Sequence, residues 1–212
     1  EGWASVSYRM EYPEWWAGSP EASKKATERM RSRASAYALY VLAKGGRGDL
    51  ARLRWWHDVQ MKNEASPLAK AQVGAGLALM GDKARARSAM RQAARSLGFR
   101  DDSDWYQSPL RDVAAVVALA YEAGDVELAR SLQTRLENAV KDPDSLNTQE
   151  QARLLQAAHW MLKAAGAIRI DAEGAAPLTA VGGAPRWAVG KLAEARFVNA
   201  GKSEMAGLEV GA

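Results

Sequence analysis

The amino-acid sequence predicts a mainly α fold of antiparallel helical hairpins, followed by a short β segment. Three observations carry this. Alanine, which loses no side-chain freedom on entering a helix, is dense as far as Gly166. A unit of helix, Gly-Asp break and helix recurs three times. Beyond Gly166, Gly, Pro and Val become frequent and short alternating runs replace the helical period. The chain is accordingly divided into an extended or loop lead-in at 1–20, helical hairpins at 21–166 and the start of a β module at 167–212.

In the lead-in, "SVSYRMEY" alternates and puts Val6, Tyr8, Met10 and Tyr12 on one side, as a strand or extended loop would. Trp15 and Trp16, next to Pro13, are expected to cover an exposed end of the helical layer. The three repeated units are "SAYALYVLAKGGRGDLARLRWW", "AQVGAGLALMGDKARARSAMRQ" and "VAAVVALAYEAGDVELARSLQTRL". In each, Gly48, Gly81 or Gly124 is expected to adopt the left-handed conformation that ends a helix, and Asp49, Asp82 or Asp125 to cap the next. Gly48 and Gly81 are 33 residues apart, Gly81 and Gly124 43, so the unit is a helix pair with variable outer loops.

The two helices of a pair differ in character. The first is apolar nearly all round, as in "VAAVVALAY" from Val113 to Tyr121, which predicts burial on two sides. The second is amphipathic: Val126, Ala129, Leu132, Leu136 and Ala139 recur at helical spacing, and Glu127, Arg130 and Glu137 face water. This predicts an inner and an outer layer around a shared apolar centre. "SLNTQEQARLLQAAHWMLKAAG" then reads as the next helix, with Thr148 and Gln151 as its capping box and Leu155, Ala158, Leu162 and Ala165 as its buried stripe. After Gly166, "AIRID" alternates and "RFVNAGKSEMAGLEV" offers two short runs around an Asn-Ala-Gly-Lys turn. Roughly 45 residues remain there, too few to close a sandwich of about seven strands.

The chemistry available is sparse. Of 212 residues, 48% are hydrophobic and 25% charged, a soluble globular balance. The net charge of +4 is interspersed along the helices, too weak a signal to argue for nucleic acid or a membrane surface as partner. No apolar run approaches the ~18 residues that span a bilayer. There is no cysteine, hence no disulfide, thiolate nucleophile or cysteine metal site. Residue 1 is Glu and no signal peptide follows, which predicts a mature product or a piece of a longer chain. "DDSDW", Asp101 to Trp105, lacks the helical spacing of a magnesium-binding cluster and reads as a solvated loop capping the helix that starts near Pro109. His57 and His159 have no partner at metal-ligand spacing. "AGKS" at Ala200 to Ser203 lacks the first glycine of a phosphate loop, and "RGD" at Arg47 to Asp49 reads as helix stop and helix start. No catalytic, cofactor-binding or metal-binding residue is assigned, and no cofactor is called for.

Three stretches add a resemblance to a family. "LRWWHDVQMKNEASPLAKAQVGAGLALMGDKARARSAM", "WYQSPLRDVAAVVALAYEAGD" and "NTQEQARLLQAAHWMLK" stand in the order and approximate separation of bacterial alpha-2-macroglobulin family proteins. The match is carried by Leu68-Ala69-Lys70-Ala71-Gln72 with Gly81-Asp82, Ser108 with Leu110-Arg111-Asp112, and Thr148-Gln149-Glu150, and covers roughly Arg33 to Ala212. It resembles the later part of the thioester-domain region running into the β segment after it. The resemblance implies part of an α/α toroid set beside β-sandwich-type domains, in a periplasmic protease inhibitor whose parent can carry a lipid anchor to the inner membrane. In such a protein a protease cuts a bait segment and is trapped as the domains rearrange; members with a thioester also capture it covalently. That thioester joins a cysteine to a glutamine, and this chain has no cysteine. The implied partners are proteases, through the parent protein, and neighbouring domains of the same polypeptide; the segment itself is expected to be structural, not an enzyme, and part of a larger polypeptide.

Two other classes remain at this point. "ALAYEAGDVELAR" also resembles a tetratricopeptide-type repeat, a protein-binding scaffold, although spacings of 33 and 43 residues fit poorly with a fixed period of about 34. An α/α-barrel enzyme would need paired carboxylates at the barrel mouth, for which only Asp101, Asp102 and Asp104 are available.

Overall fold

The computed structural model describes residues 11–100, 104, 106–140 and 145–165, and the backbone of four short strands at 170–173, 175–178, 186–189 and 196–199. Val6, Tyr8 and Met10 lie outside the described residues, as do Asp101, Asp102 and Ala200 to Ser203. A short helix α1 (Glu14–Ala17) stands within the part expected to be extended and packs on α2 (Pro20–Lys44). Then follow α3 (Leu50–Trp55), α4 (Pro67–Leu79), α5 (Lys83–Arg95), α6 (Pro109–Glu122), α7 (Val126–Ser131), α8 (Gln133–Ala139) and α9 (Thr148–Ala165). Helix α3 runs on through a π-helical stretch, Trp56–Gln60, and a 3-10 turn, Met61–Asn63. The chain forms two compact units, Glu1–Met161 and Leu162–Ala212.

Two kinds of cap start the helices of each pair. The first helices, α2, α4 and α6, open with Ser-Pro: the hydroxyls of Ser19, Ser66 and Ser108 accept the N–H three residues on, and proline fills a position that has no donor duty. The second helices open with the expected aspartates, Asp49, Asp82 and Asp125, which accept from Arg52, Arg85 and Leu128 N–H. In the second and third hairpins each aspartate has two duties. The N–H groups of Asp82 and Asp125 donate back to the carbonyls of Leu77 and Ala120, closing the end of the first helix, while Gly81 and Gly124 supply the left-handed residue (φ +84° and +77°).

The first hairpin departs from the expectation. There Gly46, not Gly48, is left-handed (φ +72°), and the closing bond runs from Arg47 N–H to Leu42 C=O. Two extra residues separate helix stop from helix start, so the two duties fall on different residues. Gly48 is needed for room: a Cβ there would lie 2.4 Å from Met80 Sδ and 3.0 Å from Ala43 Cα.

The inner helices are α2, α4 and α6, with α4 packed against both others, and the second helices lie on them. Along α6 every residue from Leu110 to Tyr121 is buried, and along α4 nearly every residue from Pro67 to Leu77. Gly74 and Gly76 let α4 approach closely: a Cβ on Gly74 would meet Ala89 and Met90 at 3.2 Å, and one on Gly76 would meet Leu53 at 3.0 Å. One apolar cluster joins α2, α3, α4 and α5 through Leu39, Leu53, Trp56, Val73 and Leu77, and another joins α4 to α9 through Met90, Val113, Val116 and Val117. Each fully buried valine or leucine contributes on the order of 1.5–3 kcal/mol.

Helix α9 turns out differently from its expected stripe. Ala157 is buried, with Leu154, Trp160 and Met161 packed against the second cluster, whereas Leu155 and Leu162 are 73% and 58% exposed and Ala158 is also exposed. Two apolar faces run along this helix, and the core takes the other one. Its cap is Asn147, whose side chain accepts from Gln149 and Glu150 N–H at 2.9 and 3.0 Å while Glu150 accepts from Asn147 N–H, so the capping box starts one residue before Thr148.

The predicted fold class needs correction beyond α9. The four strands pair as two separate antiparallel ladders, β1 (Ile170–Glu173) with β4 (Arg196–Asn199), and β2 (Ala175–Leu178) with β3 (Arg186–Val189). A ladder of two four-residue strands builds no sheet face over which a core could form. The structure supports the helical part of the expectation and gives no support to a segment of an adjoining β-sandwich-type domain.

Removing an aspartate side chain that only caps a helix should cost less than removing one that also pairs with cations. Asp125→Ala is expected to lose about 1 kcal/mol of stability. Asp82→Ala should lose more, because Asp82 also receives Arg54 and Arg85 at 2.7 and 3.3 Å. Urea unfolding of both variants checks the order.

Candidate functional site

The described residues gather their polar groups in three places. At the starts of α4 and α6, Asp104 Oδ2 accepts from both terminal guanidinium nitrogens of Arg111 at 3.1 Å and pairs with Arg33 at 3.5 Å. The Nε and Nη2 of Arg111 donate to Asp112 Oδ1 at 3.0 and 2.8 Å, and Gln107 donates to the other oxygen of Asp112 at 2.9 Å. Asp112 is 1% exposed. Glu64, also buried, accepts from Ser32 at 2.5 Å and from Ala65 and Ser66 N–H at 3.0 and 2.9 Å, fixing the turn into α4.

At Asp104, the one described residue of "DDSDW", this corrects the reading of a solvated loop capping the next helix. Ser108 is that cap, and Asp104 belongs to an ion-pair network. With guanidinium groups on its oxygen, Asp104 is occupied by protein cations. No group of three or more His, Asp or Glu side chains that could hold a metal occurs among the described residues.

The second polar place lies on α3 and α5. Arg85 grips Asp58 with Nε and Nη2 at 3.0 and 2.9 Å, and His57 Nδ1 lies 2.7 Å from Asp58 Oδ1. Hydrogen bonds from Arg85 and His57 pull the Asp58 carboxyl down to about 2. Among the described residues His57 Nε2 is buried without a hydrogen-bond partner, and His159 stands elsewhere, edge-on to Trp160 at 5.8 Å. A third cluster clasps the far ends of α2 and α6: Tyr40 donates to Glu122 at 2.5 Å and Lys44 pairs with Glu122 at 2.8 Å. Burial, then the Glu122 carboxylate, pushes the Tyr40 hydroxyl up to about 12, so it serves as a donor.

Beside the first network opens a cavity of about 970 Å³. Its walls include Trp16, Met30, Tyr37, Leu68 and Tyr106, and Arg33, Gln72, Asp104 and Arg153 also line it. Trp15 and Trp16, expected to cover an end of the helical layer, remain largely exposed on α1, with ring centroids 5.0 Å apart. Burial lowers the pKa of Arg153, with Arg111 nearby acting in the same direction, and burial likewise lowers that of Lys70, whose Nζ donates to Ser96 at 2.6 Å. Sequence reasoning missed this cavity. Gln72 in an otherwise apolar run of α4 and Arg153 between two apolar faces of α9 were the available signals.

Two measurements test these assignments. Asp112→Ala should cost about 3 kcal/mol, since it strips a buried guanidinium of its closest partner. In a double-mutant cycle with Arg111→Met, the double variant should lose clearly less than the sum of the singles, and additive losses would disprove the coupling. Asp58 titrates below its ordinary 3.8, so its contribution is present above about pH 4 and is lost as pH falls towards about 2. The urea-midpoint difference between the native chain and Asp58→Asn should therefore shrink over that window.

No family model matches the chain. Alpha-2-macroglobulins from two strains of Xylella fastidiosa, Temecula1 and 9a5c, are each 34% identical in an alignment of 139 residues that covers 60% of this chain and 8% of theirs. Among solved structures, Salmonella alpha-2-macroglobulin reacted with methylamine is similar with a TM-score of 0.57 and 27% identity, over 81% of this chain and 11% of that one. Native Escherichia coli alpha-2-macroglobulin gives 0.56 at 28% identity, over 69% and 9%. A part of the Escherichia coli protein from domain MG7 to the C-terminus gives 0.52 at 28%, over 69% and 24%. The chain thus spans a small fraction of the length of the relatives it matches. Among the described residues no helix is long and apolar enough to cross a membrane. In sequence and in structure alike, the chain is related to a segment of the bacterial alpha-2-macroglobulins.

Proposed function

We propose that the chain is a structural segment of an alpha-2-macroglobulin-like, broad-spectrum endopeptidase inhibitor that traps proteases after they cut a bait segment. The observation that carries the reading is that sequence likeness and structural likeness both lead to bacterial alpha-2-macroglobulins. In this reading the inner layer α2, α4 and α6 and the outer helices form part of an α/α toroid, and their role is mechanical. The buried inner helices give a stiff body that moves as a unit when neighbouring domains rearrange. The chain contributes no enzyme chemistry, and with no cysteine these residues do not supply the cysteine of a Cys-Gln thioester. The whole protein would act in the periplasm, on proteases, with neighbouring domains as the immediate partners of this segment.

Trapping leaves the protease's active site free, so the substrates must be large and small in parallel. With trypsin, the chain alone should slow neither casein digestion nor hydrolysis of a small chromogenic amide. The full polypeptide containing it should suppress casein digestion while the small amide is still cleaved. Inhibition of small-amide hydrolysis by either would point to active-site blockade and overturn the reading.

A further inference from the structure

Helix α5 carries Lys83, Arg85, Arg87, Arg91 and Arg95 and no acidic residue. These cations meet different surroundings on its two sides. Arg85 is held by Asp58 and Asp82. On the other side Lys83, Arg87 and Arg91 recur every fourth residue. All three are exposed, and among the described residues their side chains make neither an ion pair nor a hydrogen bond. Like charges spaced i, i+4 weaken a helix, and no described acid offsets this row.

The row forms one wall of a groove of about 740 Å³, whose other wall is the turn after α6 and the start of α7. The apolar lining comprises Ala86 and Met90, both buried, and the half-buried Ala123, Val126 and Leu128. The α7 wall carries two acids. Asp125 is occupied as the cap of α7, accepting Leu128 N–H, whereas Glu127 is exposed. Among the described residues no ion pair joins the two walls, so charges of opposite sign face the same groove without meeting. The lining thus offers a row of cations on one edge, apolar surface, and a single free anion on the other edge.

An amphipathic helix complements all three features. Acids at every fourth position of a helix laid along α5 repeat at about 6 Å, the same rise as the cation row. An apolar stripe beside them covers Met90 and Leu128, and a base on the far edge meets Glu127. A nucleic acid would use the cations alone and set its phosphates against Glu127. We propose that the groove between α5 and α7 docks an amphipathic helix of a partner polypeptide, its acidic edge on Lys83, Arg87 and Arg91 and a basic residue at Glu127. The assignment goes beyond the trapping role and does not depend on it.

Isothermal titration calorimetry on the 212-residue chain tests it. The probes are a helical peptide of repeating Glu-Leu-Lys-Ala, the same peptide with Gln for Glu, and a DNA duplex. In the first peptide Glu and Lys flank the leucine row, and the balanced charge removes simple attraction to a basic surface. It is expected to bind at least about tenfold more tightly than the Gln peptide, consistent with several charge-assisted contacts. Arg87→Gln should cut that preference by about threefold, and Lys83→Gln/Arg87→Gln/Arg91→Gln should abolish it. Arg47→Gln, which removes the same charge from an exposed position at the first hairpin turn, should leave it unchanged. Circular dichroism checks the fold of each variant. Equal affinity for the two peptides, no binding of either, a preference that survives the triple variant, or an equal loss in Arg47→Gln would overturn the proposal. So would DNA binding as tightly as the Glu peptide, which would make the row a patch for polyanions.

Discussion

Exclusion of water from both faces of α4 and α6 is the constraint on which the architecture depends. A helix buried from Leu110 to Tyr121 cannot sit on a surface; it needs a neighbour on each side. Small residues meet that need on α4, where Gly74 and Gly76 bring backbones close to Met90 and Leu53. The second helices then complete the cover with one apolar stripe each. On α5 that stripe is Ala86, Ala89, Met90 and Ala93, with Lys83, Arg87 and Arg91 turned to water. The tight breaks between paired helices serve the same end, since one Asp both closes the first helix and opens the second.

So dry an interior makes every polar side chain in it costly unless it is partnered. Lys70 reaches Ser96, Arg111 is held by two carboxylates, and Tyr40 shares Glu122 with Lys44. The three clusters sit at helix starts and helix ends, where unpaired backbone groups already demand partners. Among the described residues, Trp56 Nε1 and His57 Nε2 are buried atoms that make no hydrogen bond.

Much of the hairpin architecture was legible because it is local. The aspartate caps, the all-round apolar inner helices and the charged faces at Glu127, Arg130 and Glu137 follow from spacing alone. The misreadings occur where two residues of one type compete. Gly46 and Gly48 are equally able to be left-handed, and only the position of Met80 assigns them. Asn147 and Thr148 are both good caps, and α9 has two apolar faces of which packing selects one. Asp104 could be placed only once Arg111 and Arg33, distant in sequence, were known to lie beside it. Short alternation after Gly166 misled, because a two-residue period alone does not show that a run belongs to a β-sandwich-type domain. The cavity was illegible for the same reason: its walls come from α1, α2, α4 and α9 and the turn before α6.

Alanine-rich surfaces are smooth, and smooth cylinders can slide past one another or exchange places at little energetic expense. The chain of charges running from Glu64 through Arg33, Asp104 and Arg111 to Asp112 ties α2 to the starts of α4 and α6. Displacing any one rod by a single turn would leave a bare ion in a dry place, a penalty of several kcal/mol. Registry between the rods is thereby enforced by a few salt-bridged teeth.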